Sequence, residues 1–365
     1  MDAGEHIVAG MAGVGLIVWT LVSALATVVV PRGIPVRLTR WAFAATIVPF
    51  ELAARRIGDL RRRETLLAAY GPTALLTLPM CWLVLVIGGG TLVGWAVGVS
   101  SWRTAFTESG SSLFTLGFTA PRSLPQTIVD FAEAGLGLGL VALLISYLPS
   151  TYASYSRREL LVTGLETQAG SPPSGVALLD RLARIGGLER LTDFWEEWTR
   201  WFADIEETHV STPSLVFFRS PQAERSWVTA AGAVLDAASL LLSSLDLERQ
   251  PQAALCVRSG FIALRRIAEF NEIPFDPDPR PTDPVSITRS EFDAAWQRLA
   301  AAGAPMRPER ELAWASFRGW RVNYDSVLLG LAILTMAPPS PWSSDRALRA
   351  FRPPLNPQRR RRRPR

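Results

Sequence analysis

Three long apolar runs occupy the first part of the chain. Residues 7–30 are uncharged over 24 positions, enough at 1.5 Å per residue to span a hydrocarbon core of ~30 Å. Pro31 and Arg32 end this run, and its lone aromatic, Trp19, is expected to pack on a neighbour. The second run, 73–99, contains Pro79 and Gly88-Gly89-Gly90. Such breakers are tolerated where neighbouring helices satisfy the freed backbone groups, and the glycines admit close helix contact. The third, 127–148, carries Asp130 and Glu133 near its start, then Gly135, Gly137 and Gly139, and Pro149 is expected to close it. Between the first two runs, 41–54 is apolar except for Glu51 and contains Pro49. It is too short to span and predicts an amphipathic helix at the interface.

The texture changes after residue 166. Residues 170–175 read Gly-Ser-Pro-Pro-Ser-Gly, a linker. Segments 176–191, 192–208, 223–246, 252–271, 289–302 and 308–337 follow with helical periodicity. The Asp/Pro-rich stretch 276–284 predicts a loop, and 215–218 alone hints at a strand. Residues 228–247 are apolar enough to raise a fourth span, but Asp236, Ser243 and Ser244 mark a buried helix of a folded domain. Trp195, Trp198, Trp201 and Phe202 recur at helical spacing and predict core packing. From Arg346 the chain is Arg/Pro-rich and ends on a run of arginines, predicting disorder, with either an attraction to anionic lipid headgroups or a solvated tail without a specific partner. The expected organisation is 1–72 (first span and basic segment), 73–160 (a membrane domain), 176–340 (a helical domain) and 346–365 (tail).

The 38 basic residues are all arginine, and the net charge is +5. The excess is assigned to membrane topology and the tail, and no nucleic-acid partner is expected. Eight arginines lie between 31 and 65, whereas 101–125 holds only Arg103 and Arg122. This places the basic segment and the C-terminal half in the cytoplasm of a multi-pass inner (plasma) membrane protein with three spans. The acidic start lacks the basic region of a signal peptide. Two cysteines, Cys81 and Cys256, exclude a disulfide framework. Glu206, Glu207 and His209 lack metal-site spacing, and no P-loop, nucleophile elbow, paired-carboxylate motif or dinucleotide fingerprint appears. Neither covalent catalysis nor a cofactor is expected.

The segment 102–121, WRTAFTESGSSLFTLGFTAP, lies between the second and third runs. Residues 102–114 predict a short helix, and Thr115-Leu116-Gly117-Phe118-Thr119 follows. This loop resembles the pore loop of potassium channels, whose signature is TVGYG or TVGFG. Residues 146–159 and 217–221 also resemble uncharacterised bacterial membrane proteins grouped with that family. The resemblance implies an all-α membrane protein with three transmembrane helices, a re-entrant pore loop and a helical cytoplasmic domain. Potassium would be the permeant ion, held by main-chain oxygens of Thr115, Leu116, Gly117, Phe118 and Thr119. Gly117 supplies a left-handed backbone, Phe118 is expected to pack against the pore helix, and Ser112 to support the filter from behind. Thr119 stands where the family has a second Gly, and Ala120 where it has Asp. The single Gly is also similar to Trk and Ktr potassium-transporter loops. Those proteins carry four pore units per chain; this one carries one, so a homotetramer is implied.

Gly135, Gly137 and Gly139 are expected to form a hinge in the inner helix or to pack against the second span, with a gate near 149–158. Asp130 and Glu133 are expected at headgroup depth, or paired with Arg122 or Arg103, with a cation-concentrating ring as the alternative. The rival functions are a non-conducting sensor or scaffold served by the cytoplasmic domain, and a membrane enzyme whose site is not visible in sequence.

Overall fold

The computed structural model describes residues 3–28, 37–54 and 56–346. The Pro31–Arg32 stop and the tail from 347 onward lie outside them. Among the described residues the chain is helical, with no strand and one isolated bridge between Leu245 and Met306. It divides into two compact units, Met1–Arg157 with Glu207–Arg219, and Arg158–Glu206 with Ser220–Arg365.

Among the described residues four helices are long and apolar enough to cross a membrane: Gly4–Val28, Arg61–Ala96, Leu124–Ala169 and Trp227–Ser244. Of their most apolar windows, 28%, 39%, 17% and 94% are buried within the chain. The first three expose their side chains, as lipid or a neighbouring subunit requires. The fourth spends its apolar surface inside its own unit.

In the first unit, α1 (Ala3–Val28) lies along α4 (Tyr70–Ala96) at glycine-set distance. A Cβ at Gly13 would stand 2.5 Å from the Gly89 carbonyl, and one at Gly89 would stand 2.7 Å from Ile17. This is the small-residue contact by which helices approach in lipid. At one end the His6 and Trp95 rings stack at 4.4 Å, and Trp95 stacks on Trp102 at 4.9 Å. Trp19 is 43% exposed rather than packed, because its position turns away from α4. Helix α2 (Arg37–Ala54) continues through Pro49 and adds Leu38 and Ala42 to a core of Leu78, Trp82, Val86, Leu113 and Leu140. Helix α3 (Leu60–Ala68) is capped by Asp59, whose carboxylate accepts from the Arg62 N–H at 2.9 Å.

Helix α5 (Trp102–Leu113) precedes α6 (Leu124–Ala169). Pro149 does not close the third run: α6 passes through it for 46 residues. One proline removes a single hydrogen bond, and the helix formers on both sides outweigh that loss. Residues 215–218 form no strand. They belong to a 3-10 turn, Pro213–Phe217, and its exit, where Pro213 fixes the first turn. There Phe218 packs on Gly71, Tyr147 approaches Ser214 at 3.4 Å, and Arg219 pairs with Glu64.

The second unit is built round α9 (Trp227–Ser244), enclosed by α7 (Gly175–Arg184), α10 (Pro251–Phe270), α12 (Arg310–Arg321) and α13 (Asp325–Leu334). Alanines and Gly232 along α9 let these neighbours close in. Gly175 and Gly260 answer from their side, where a Cβ would strike Ala233, Ala237, Leu235 or Phe202. Helix α8 (Thr192–Ser211) contributes Trp195, Trp198, Trp201 and Phe202, all nearly fully buried. The sequence segment 308–337 is two helices, α12 and α13, because the chain turns at residues 322–324. That turn lets Arg321 and Tyr324 both reach inward. The buried Arg321 guanidinium pairs with Asp236 and donates to Asp325 at 2.7 Å and to the Trp342 carbonyl at 2.7 Å. Tyr324 donates to Asp236 at 2.9 Å. The strap after α13 is held by Ser340 donating to the Pro173 carbonyl at 2.8 Å. Arg346 ties its far end to Glu291 at 2.5 Å, on α11 (Arg289–Ala301). Cys81 and Cys256 are free thiols. Burial pushes the Cys256 thiol up to about 12.

Candidate functional site

Helix α5 begins because Ser101 can cap it, its hydroxyl accepting from the Thr104 N–H at 3.1 Å. It ends where the chain reaches residues that leave the right-handed region. Thr115 has φ 53° and Gly117 has φ 68°, and Leu116 between them stays out of the left-handed region. A Cβ at Gly117 would meet nothing, so the glycine answers to its backbone angle and not to crowding. A β-branched residue at positive φ is unusual and costs free energy that the surroundings must offset.

The offset comes from α5. The Thr115 N–H donates to the Ser112 carbonyl at 3.0 Å, and the Leu116 N–H to the Ser111 carbonyl at 2.8 Å. The Phe118 N–H donates to the Ser111 hydroxyl oxygen at 3.2 Å. Ser111 rather than Ser112 is therefore the side chain that holds the loop. Phe118 does not pack against α5. It is 63% exposed, as are Leu116 at 62% and Phe114 at 49%, because within one chain nothing stands opposite the loop. The Thr119 hydroxyl is buried without a hydrogen-bond partner.

Behind α5 lies a small, partly open pocket lined by Gly90 and Gly94 of α4, Glu108 and Ser109 of α5, and Asp130 and Glu133 of α6. Glu133 is 2% exposed, and Ser109 donates to its Oε1 at 2.8 Å. The same serine hydroxyl lies 3.3 Å from the Ile87 carbonyl. The hydrogen-bond partner of Glu133 is therefore Ser109, where Arg122 or Arg103 was expected. Glu133 is buried because Gly90 offers no side chain: a Cβ there would overlap the Glu133 carboxyl. Glu108, 8% exposed, lines the same pocket, and the Arg122 N–H donates to Gln126 at 2.8 Å.

The glycines of α6 separate in role. Gly137 touches the end of α5, where a Cβ would overlap the Leu113 carbonyl, so its packing partner is α5 and not the second span. Gly135 and Gly139 meet nothing within the chain, and the helix is unbroken at all three. Sequence reasoning missed Glu108, Ser109, Ser111 and Gly90. The available signal was a carboxylate and three serines on one short helix between spans. Among the described residues no group of His, Cys, Asp and Glu could hold a metal ion.

No protein-family model matches the chain, and no curated protein or solved structure matches it either.

Proposed function

We propose that four copies of this chain form a cation channel of the potassium type. In this reading 102–119 is a re-entrant helix and filter, and the second unit is a cytoplasmic helical domain. The observation that carries the proposal is the alternation of handedness at Thr115, Leu116 and Gly117 directly after α5. Alternating backbone hands turn successive carbonyls to one side. A row of main-chain oxygens can then replace the water shell of a dehydrated cation. The C-terminal end of α5 adds its negative dipole end to the same place.

Two further features support the reading. The loop leaves Phe114, Leu116 and Phe118 exposed, which neighbouring loops around an axis would cover. Helix α6 is the least buried of the three membrane-type helices, as an inner helix awaiting partner subunits would be. The arginines between 31 and 65 support a topology with the basic segment and the second unit on the cytoplasmic side of an inner (plasma) membrane.

Purified protein in liposomes should pass potassium. Barium should block the flux, and Gly117→Ala should abolish it, since the left-handed state costs an L-residue about 1 kcal/mol or more. The detergent-solubilised assembly should have the mass of four 40.0 kDa chains. A monomer or dimer, or a wild-type protein that passes no ion under any voltage or pH, would favour a membrane sensor or scaffold instead.

A further inference from the structure

We infer that Glu133 of α6 is a positioning residue that sets the geometry of loop 114–119 by anchoring α5, and thereby the ion selectivity of the proposed channel; the inference rests on that reading for its consequence but not for its geometry. A buried hydrogen bond crosses from α5 to α6: Ser109 donates to Glu133 at 2.8 Å. Ser109 lies less than one turn before the two serines that hold the loop. The Ser112 carbonyl accepts from the Thr115 N–H. Its neighbour Ser111 takes the Leu116 N–H on its carbonyl and the Phe118 N–H on its hydroxyl oxygen.

A mechanical path thus runs from the Glu133 carboxyl, through the Ser109 bond and the body of α5, to the amides flanking the two left-handed positions. Gly137 against the Leu113 carbonyl fixes the approach of the two helices beside this path. Gly90 leaves the space in which Glu133 lies. A polar side chain at membrane depth is costly, and the low dielectric that makes it so also strengthens each hydrogen bond it forms. Filter selectivity depends on carbonyl positions, so a small rotation of α5 would change discrimination before it changed assembly.

The test compares Glu133→Leu, which removes the acceptor, with Glu133→Gln, which keeps an oxygen for Ser109. Both are measured in the assembled protein in liposomes. Glu133→Leu should lower the potassium-to-sodium permeability ratio about ten-fold, the factor one buried hydrogen bond is worth. Glu133→Gln should recover the wild-type ratio. An unchanged ratio in Glu133→Leu overturns the inference. If Glu133→Leu does not assemble, Gly90→Ala reads the same path, because its methyl group displaces the carboxyl without deleting it. If wild-type protein passes no ion, the channel reading fails by itself, and hydrogen exchange at the Leu116 and Phe118 amides decides the inference. Exchange about ten-fold faster in Glu133→Leu but not in Glu133→Gln supports it, and equal exchange in all three refutes it.

Discussion

Single atoms decide the two kinds of glycine in this protein. Gly117 is required by a backbone angle and Gly137 by a carbonyl, whereas Gly135 and Gly139 meet nothing within their own chain. Gly137→Ala should therefore destabilise the detergent-solubilised protein by about 1–3 kcal/mol through overpacking against Leu113. Gly135→Ala should instead gain about 1 kcal/mol of helix propensity where nothing covers it. Denaturant unfolding of the two variants side by side checks this contrast. Sequence spacing made all three α6 glycines look alike, since only the position of α5 tells them apart. It also made Ser112 the expected support; the Ser112 carbonyl does hold Thr115, while the side chain that holds the loop is that of Ser111.

At the scale of elements, the sequence announced the helices more reliably than their ends. Residues 73–99 and 127–148 lie almost wholly within α4 and α6. Pro149, read as a stop, is an interior position, and 308–337 is two helices because Arg321 and Tyr324 must both face Asp236. Such outcomes depend on tertiary partners that periodicity does not contain. The left-handed Thr115 was equally invisible, for no β-branched residue advertises positive φ.

The strap is the element whose stability should respond to acid. Burial alone would raise the Glu291 carboxyl. The Arg346 guanidinium and the Thr288 N–H and hydroxyl overcome this and hold it below the usual carboxylate range. A carboxylate depressed in the folded state stabilises above its unfolded value and loses that contribution as pH falls through the folded one. The strap contact should thus be intact at neutral pH and weaken below about pH 4. Fluorescence of the buried Trp342 during thermal unfolding at stepped pH should show the loss, and Glu291→Gln should flatten it.

For the whole molecule, the division of apolar surface separates the two units. The first unit turns Val14, Val18, Met80, Val84, Phe131 and Val141 outward, and such a belt is stable only under lipid or another subunit. The second turns its apolar residues inward round α9. Asp236, Ser243 and Ser244 marked α9 as a core helix in the sequence, although a buried core helix and a short span look alike in their apolar content.

This likeness has a consequence during synthesis. Three of the helices that enclose α9, namely α10, α12 and α13, follow it in the chain and are absent when it leaves the ribosome. For that interval an 18-residue apolar segment, hydrophobic enough to cross a bilayer, has no finished core to enter. Asp236, near its midpoint, is then a deterrent, since the insertion machinery charges about 3 kcal/mol for a carboxylate at that depth. Asp236→Leu should remove the deterrent and divert part of the newly made protein into an extra crossing. An acceptor site for glycosylation placed after α9, in a microsomal translation assay, would report that diversion as a modified fraction missing from the wild type.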